Sequence, residues 1–263
     1  MGECDPPFNL EEWVPDSFDI IAVGVEECMK LSDLEMRANG VIGSDYVYYT
    51  EKVGSTRKEV GFHGYIAVTV FIRIDLIQSG FVPVSRIVTK NVALGKNLVV
   101  TRASNKGGVR VRCPLELGVL GIEPALSTQI DFICCHLASD QKGQTKIAKR
   151  NKNAVELVQA LVLDDSQNKG FVFAMGDLNY RINMTPEDCM DLIVEGVGKN
   201  NPDAYCALLD NDQLIPCLAT GATFPGFQEL TLPTFAPTYK KKKGDEGDPK
   251  GYQDKESVYG CYD

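Results

Sequence analysis

The sequence predicts an α/β fold, because short apolar segments typical of buried strands alternate with segments of helical periodicity. A helix is predicted over 144–162, where apolar side chains recur at helical spacing. Another is predicted from Thr185, which offers an N-cap hydroxyl followed by a proline and two acidic residues, and it runs through Cys189–Val194. Buried strands are predicted at 18–25, 64–76, 97–101, 107–113, 129–135 and 171–175.

Length and composition narrow the class of protein. The 263 residues are enough for one large α/β domain or two small ones, and no apolar run approaches the roughly 18 residues of a membrane span. The nine cysteines form no C-x-x-C pair, which favours reduced thiols in a cytoplasmic protein. Only two histidines are present, so a zinc site is not expected. A net charge of −9 argues against non-specific binding of nucleic acid.

The segment FVFAMGDLNYRIN, residues 171–183, carries the strongest chemical signal. A buried strand delivers Asp177, Asn179 and Arg181 beyond its carboxyl end, where ligands tend to bind in α/β sheets. Gly176 permits an unusual backbone angle or a close approach. The alternative is a simple turn, since G-D-x-N is favourable turn chemistry.

GDLNYRIN resembles the signature of the inositol polyphosphate 5-phosphatases, members of the DNase I-like group of endonucleases, exonucleases and phosphatases. Further segments agree with that family in order and spacing across residues 8–240. They are FDIIAVGVEEC from Phe18, SNKGGV from Ser104, CHLAS from Cys135 with the later Arg150-Asn151, Leu208-Leu209 with Asp212-Gln213-Leu214, and FPGFQELTLPTFAPTYK from Phe224. One departure is Glu26, which stands where the family usually has Gln.

The resemblance implies a fold and an activity. The fold is a four-layer α/β sandwich of two mixed β-sheets flanked by helices, within a single catalytic domain over 1–263. The activity is Mg²⁺-dependent hydrolysis of the 5-phosphate of inositol polyphosphates or phosphoinositides, whose headgroups are the expected partners. The implied site residues are Glu27 for the metal, His136, Asp177 and Asn179 for catalysis, and Asn105, Lys106, Arg181, Tyr239 and Lys240 for the substrate.

Several of these residues also have a structural interpretation. Glu26 and Glu27 can simply open an exposed helix, and N-K-G-G is most often a hairpin turn. A lone histidine at the end of an apolar strand, such as His136, is more often structural than catalytic. His63 matches no motif, and we interpret it as structural.

Some family motifs have no counterpart in these 263 residues. The T-W-N-x-[GN] strand end, the P-x-W-C-D-R motif and the S-D-H-x-P-V strand, with its catalytic Asp-His pair, are not found. We therefore expect the first and last strands of the sheets to be lacking, and the chain alone to be inactive or nearly so.

The highly charged segment 240–256 predicts a mobile loop. Its lysines, Lys240–Lys243, can contact an anionic membrane peripherally or form a solvated loop. No nucleic-acid partner is expected. Two alternative functions stay open: a nuclease of the same fold, and a non-catalytic protein that binds phosphoinositides.

Overall fold

A computed structural model shows two compact units. The first comprises Met1–Leu137 and Glu156–Asp177, and the second comprises Ala138–Val155 and Leu178–Asp263. The structure describes residues 10–15, 17–57, 63–94, 96–97, 102–103, 105–121, 127–140, 145–163, 170–198, 201–233, 235 and 237. The predicted loop 240–256 lies outside these residues, and the single catalytic domain over 1–263 stays a prediction.

The first unit contains two main β-sheets. The first sheet is wholly antiparallel, in the order β1-β3-β2, with β1 at Ile20–Cys28, β2 at Tyr46–Ser55 and β3 at Gly64–Arg73. The second has the order β4-β7-β8-β9, with β4 at Val88–Ala93, β7 at Gly107–Glu116, β8 at Ser127–His136 and β9 at Phe171–Asp177. Only its β8–β9 pair is parallel. A short pair joins β5, Lys96–Asn97, to β6, Arg102–Ala103.

The two sheets pack face to face, and their inner faces form an extensive apolar cluster. Alternate residues of the central strand β3, from Ile66 to Ile72, meet alternate residues of β7, from Val109 to Cys113. Both strands are buried nearly throughout. Because side chains alternate along a strand, the opposite face of β7 carries Arg110 and Arg112, which are buried and pair with Asp131.

Helices cover the outer faces of the sheets. Helix α1, Leu31–Ile42, packs Leu34 and Ala38 against β1 and β3. Helix α3, Ile147–Val158, begins in the second unit and ends in the first, where it continues as a π-helical turn at Gln159–Leu163. A side chain at Gly108 of β7 would contact Leu157 and Leu161, so glycine lets this helix lie close to the sheet.

The remaining helices are short or belong to the second unit. Helix α2, Ile74–Gln78, follows β3 directly, whereas α4 at Pro186–Gly198, α5 at Pro202–Leu209 and α6 at Leu214–Ala219 lie in the second unit. Ile182, Cys189, Ile193 and Leu208 form the apolar cluster there. No helix in the described part of the chain has the length and apolar character needed to cross a membrane.

The predicted elements are largely confirmed, with informative differences. The strand predicted at 64–76 ends at Arg73, because Ile74 starts α2 and the Arg73 guanidinium binds Asp75 at 2.7 Å. The strand predicted at 18–25 continues through Cys28, which excludes a helix start at Glu26. Asn97, the first residue of the strand predicted at 97–101, lies in β5. Residues 98–101 are outside the described residues.

The predicted helix start at Thr185 is confirmed. Its hydroxyl oxygen accepts the Asp188 backbone N–H at 3.1 Å and donates to the Asp188 carboxylate at 2.8 Å, while Pro186 begins α4. The sequence reasoning did not find α1, α5, α6, β2 or β4.

Candidate active site

His136 and Asp177 meet at neighbouring strand ends in the first unit. β8 and β9 are parallel and in register, so that His136 is paired with Asp177 as the last residue of each strand. Nε2 of His136 lies 3.2 Å from Oδ2 of Asp177. His136 is buried, whereas the Asp177 side chain is 40% exposed. The pair therefore presents a solvent-accessible carboxylate held against a fixed imidazole.

Lys106, the residue before a third strand, completes this group. It immediately precedes β7, whose first residue, Gly107, pairs with His136, and the Lys106 ammonium contacts Nε2 of His136. The tautomer decides whether Nε2 donates to Asp177 or accepts from Lys106. Nδ1 of His136 is buried and has no hydrogen-bond partner within the described residues.

Asn105 and the glycines of N-K-G-G have mainly structural contacts. The side-chain oxygen of Asn105 accepts the backbone N–H of His63 at 3.0 Å. A Cβ on Gly107 would lie 2.3 Å from the carbonyl oxygen of Val92 on β4. Within the described residues these glycines make room for β4 and, at Gly108, for the helical side chains of Leu157 and Leu161.

Glu27 lies at a β-bulge near the end of β1. Val25 pairs with Ala67 and Cys28 with Tyr65, so β1 has one more residue than β3 between these pairs. Glu27 is the extra residue of the bulge; its φ is 51° and its side chain is exposed. A Cβ on Gly64 would lie 2.6 Å from the Glu27 carbonyl carbon, so glycine is required opposite the bulge.

Glu26, rather than Glu27, points between the two sheets. Its carboxylate accepts a hydrogen bond from the Cys134 thiol at 2.8 Å, two residues before His136 on β8. Burial raises the pKa of Glu26, an effect that the Cys134 hydrogen bond and the charge of His136 oppose and the charge of Asp177 reinforces. A Cβ on Gly176 would lie 2.7 Å from the same carboxylate, so glycine before Asp177 leaves room for Glu26.

The second unit holds Asn179 and Arg181. Asn179 is buried and has a φ of 59°, an angle that asparagine tolerates better than most residues. The Arg181 guanidinium donates to the Asn179 side-chain oxygen at 3.0 Å. Arg181 also lines an open groove of about 700 Å³ together with Asp140, Asn183, Thr185 and Gln213.

Residues 2–257 match the family described as Endonuclease/Exonuclease/phosphatase family 2. The chain belongs to this family. Its fold agrees with that of a solved structure, the inositol polyphosphate 5-phosphatase domain of SPsynaptojanin in complex with inositol (1,4)-bisphosphate and calcium ion. The TM-score is 0.64 at 26% sequence identity, and the match covers 97% of this chain and 70% of that one.

Curated relatives point to the same group. The chain is 28% identical to Synaptojanin of Caenorhabditis elegans over 231 residues, 84% of this chain and 18% of that protein. It is 29% identical to Synaptojanin-2 of Homo sapiens, over 86% of this chain and 14% of that protein. It is 28% identical to the human Phosphatidylinositol polyphosphate 5-phosphatase type IV, over 91% of this chain and 35% of that protein. The chain thus spans a minor part of each relative.

These matches confirm the predicted membership of the inositol polyphosphate 5-phosphatase group and the DNase I-like fold. The sheets differ in one detail from expectation, because the first is antiparallel and only the second is mixed. Of the site residues that the resemblance implies, five lie in the first unit, namely Glu27, Asn105, Lys106, His136 and Asp177. Asn179 and Arg181 lie in the second unit, and Tyr239 and Lys240 lie outside the described residues.

Sequence reasoning missed two features of this site. Glu26 was noted only as a departure from the family, yet it is the carboxylate beside Cys134, and only the strand alternation along β1 reveals this. Gln213 was noted only as part of D-Q-L, yet its side chain contacts Arg150, Arg181 and Asn183. No local pattern in the sequence indicates these contacts.

Proposed function

We propose that this chain forms part of a Mg²⁺-dependent phosphatase that removes the 5-phosphate from inositol polyphosphates or phosphoinositides. The observation that carries the proposal is the in-register pair of His136 and Asp177, with Lys106 on the same imidazole. Two further observations support it: the family of the chain, and the inositol bisphosphate bound in the related solved structure.

The residues of the first unit supply a proton-transfer and charge-stabilising group. In the proposed reaction, the Asp177 carboxylate orients or deprotonates the attacking water, since its side chain is accessible to solvent. The His136 imidazole donates to the scissile phosphate as negative charge builds on it. Lys106 and Asn105 bind phosphate oxygens, the lysine as a point charge.

The donor chemistry at these strand ends fits Mg²⁺. The ion prefers one or two protein carboxylates, with waters and substrate phosphate as its other ligands. Among the described residues no group of three or more His, Cys, Asp or Glu side chains is arranged to hold a metal. The carboxylates of Glu27 and Asp177 lie near the ends of β1 and β9. Glu26 is close enough to Asp177 for the charge of Asp177 to contribute to its raised pKa. When bound there, the ion would polarise a phosphate oxygen and neutralise developing charge.

The second unit contributes polar groups to the proposed reaction. Asn179 orients phosphate or water through its amide, and the guanidinium of Arg181 binds phosphate oxygens. Tyr239 and Lys240 contact a neighbouring phosphate of the inositol ring, as the family resemblance implies. The protein acts in the cytoplasm, and Lys240–Lys243 touch anionic membrane peripherally.

We further expect these 263 residues alone to act weakly or not at all. The P-x-W-C-D-R and S-D-H-x-P-V motifs are not among them, and the second motif carries an Asp-His pair that serves the attacking water. Loss of part of a catalytic group that acts as a unit costs on the order of 10⁴–10⁶ in rate.

The experiment compares binding with turnover. Calorimetry with inositol 1,4,5-trisphosphate, with and without Mg²⁺, measures binding to this chain, and phosphate release measures turnover. We expect Mg²⁺-dependent binding with little release, and ready release from a longer protein that includes both motifs. Absence of binding and turnover in both proteins would contradict the function, and normal turnover by this chain would contradict its expected weakness.

A parallel assay separates the competing functions. A short DNA duplex is incubated with the longer protein under the same conditions, and cleavage would favour the nuclease. Tight binding of inositol trisphosphate by the longer protein without release of phosphate would favour the non-catalytic binding protein.

A further inference from the structure

Gln213 has a buried side chain that makes three hydrogen bonds. Its side-chain oxygen accepts from the Arg150 guanidinium at 2.9 Å and from the Arg181 backbone N–H at 3.1 Å. Its amide nitrogen donates to the Asn183 side-chain oxygen at 2.8 Å. Glutamine suits this position because one carboxamide both accepts two hydrogen bonds and donates another.

The backbone of Arg181 is held on both sides by this one residue. The Gln213 backbone N–H donates to the Arg181 carbonyl oxygen at 3.0 Å, while the Gln213 side chain accepts the Arg181 N–H. Next to it, the Asn183 N–H donates to the carbonyl oxygen of Asn211 at 2.8 Å. The segment 181–183 therefore has a fixed position against 211–213.

Arg150 restricts the movement of the Gln213 side chain through a hydrogen bond. Arg150 is fully buried, donates to the Asp140 carboxylate at 2.5 Å and to the Ala138 carbonyl oxygen at 3.3 Å, and its guanidinium lies 5.3 Å from the Tyr180 ring centre. A guanidinium with this many contacts cannot readily change rotamer. Its charge also strengthens the hydrogen bond to the Gln213 oxygen.

The fixed backbone of Arg181 sets the position of Asn179. The Arg181 guanidinium donates to the Asn179 side-chain oxygen, and Asn179 occupies a left-handed backbone conformation. Such a conformation persists only when the surrounding contacts hold it. An unbroken series of hydrogen bonds thus runs from Asp140 through Arg150, Gln213 and Arg181 to Asn179.

We propose that Gln213 is a positioning residue that sets the Arg181–Asn179 pair for substrate binding. The proposal gives a role to the D-Q-L and R-N motifs, which otherwise have none in the reaction. It rests on the proposed function, in which Arg181 and Asn179 touch the phosphorylated substrate.

The test compares two substitutions of Gln213 in this chain. Gln213→Met keeps the length of the side chain but removes its polar atoms, whereas Gln213→Glu keeps an acceptor for both Arg150 and the Arg181 N–H. Ile193→Val serves as a matched control, because Ile193 is buried in the same unit and belongs to its apolar cluster. It lowers stability without altering the hydrogen bonds of Gln213.

Two readouts are measured together with the melting temperature. Amide hydrogen exchange at Arg181 reports whether its N–H retains an acceptor, and calorimetry gives the affinity for inositol 1,4-bisphosphate with Mg²⁺. We expect Gln213→Met to raise the exchange rate and weaken binding by about tenfold each, the equivalent of one lost hydrogen bond. Gln213→Glu should restore both to within about threefold of the parent chain, and Ile193→Val should change neither.

Unchanged exchange and affinity in Gln213→Met would overturn the proposal. So would an equal effect of Ile193→Val, because the role of Gln213 would then be one of general stability. If Gln213→Met does not fold, Gln213→Ala also removes the side-chain acceptor of the Arg181 N–H and should shift both readouts in the same direction. If the parent chain does not bind inositol bisphosphate, the proposed function fails, while the exchange at Arg181 still decides the role of Gln213.

Discussion

Nε2 of His136 lies 3.2 Å from Oδ2 of Asp177, at the ends of two parallel strands in register. Each residue is two positions after a core residue on the same face, Cys134 on β8 and Met175 on β9. The packing between the sheets therefore fixes the pair. Placing a carboxylate and an imidazole at adjacent strand ends in this way allows proton transfer without reorganisation of the site.

Loss of either partner should lower turnover in a longer protein that includes the P-x-W-C-D-R and S-D-H-x-P-V motifs. Asp177→Asn and His136→Ala each remove a proton-transferring or charge-stabilising group, and we expect kcat for inositol trisphosphate to fall by about 10²–10⁴. Phosphate release under steady-state conditions measures this. Retained kcat in either variant would rule out the corresponding role.

Gly176 should not tolerate a side chain. It has a φ of 129°, and a Cβ there would lie 2.1 Å from the Cys135 carbonyl oxygen. Gly176→Ala should therefore lower the free energy of unfolding by about 2–3 kcal/mol.

A helical glycine offers the matched control. Nothing lies within 4 Å of a Cβ placed on Gly40, which is inside α1, and Gly40→Ala should raise the free energy of unfolding by up to about 1 kcal/mol. Urea unfolding of the parent chain, Gly176→Ala and Gly40→Ala measures these free energies. Equal stabilities of the two variants would contradict the described backbone at Gly176.

Glu26→Gln should stabilise the chain at alkaline pH. Burial raises the pKa of Glu26, so the folded chain retains its proton at a pH where the unfolded chain has lost it. The stability of the parent therefore falls as pH rises from the ordinary pKa of a glutamate towards the raised value, whereas glutamine carries no such dependence. At pH 8 we expect a melting temperature higher by roughly 2–4 °C, about 1 kcal/mol for a protein of this size.

Thermal melts from pH 4 to pH 8 measure that difference. It should shrink towards zero at the acidic end, where Glu26 is protonated in both folded and unfolded chains. A difference that stays constant with pH, or that favours the parent chain at pH 8, would show that the Glu26 carboxylate is not disfavoured by burial.

The cysteines should differ widely in reactivity. All seven described cysteines are free; Cys206 is exposed, whereas Cys113 and Cys134 are buried. Burial raises the pKa of Cys113 to about 12 and that of Cys134 well above its ordinary value, which removes the reactive thiolate at neutral pH. Iodoacetamide at pH 8 should modify Cys206 first among the three, as peptide mass mapping measures. Equal modification rates of Cys113 and Cys206 in the folded chain would contradict the described core. Equal rates are expected only in urea, where the chain is unfolded.

The strands that carry the site could be predicted from the sequence because their apolar runs are local. FVFAM and DFICC identify β9 and β8 directly, and the motifs that follow them place Asp177 and His136 at strand ends. The strand β2 was harder to predict, because its exposed and half-buried side chains break the apolar pattern.

The contacts of the site could not be predicted in the same way. Glu26 lies on the same side of β1 as Ile20 and Ala22, which pack between the sheets, but its contact with Cys134 depends on how β1 packs against β8. The contacts of Gln213 join residues that are 30, 32 and 63 positions apart. Such pairs depend on the folded chain as a whole, and no short motif encodes them.

The most direct test of the central claim identifies the phosphate that is removed. The longer protein is incubated with inositol 1,4,5-trisphosphate and Mg²⁺, and the product is identified by ³¹P nuclear magnetic resonance, with Asp177→Asn as the control. The account predicts inositol 1,4-bisphosphate and free phosphate from the parent and almost no product from the variant. Release of the 1- or 4-phosphate instead, or equal product from the Asp177→Asn variant, would contradict it.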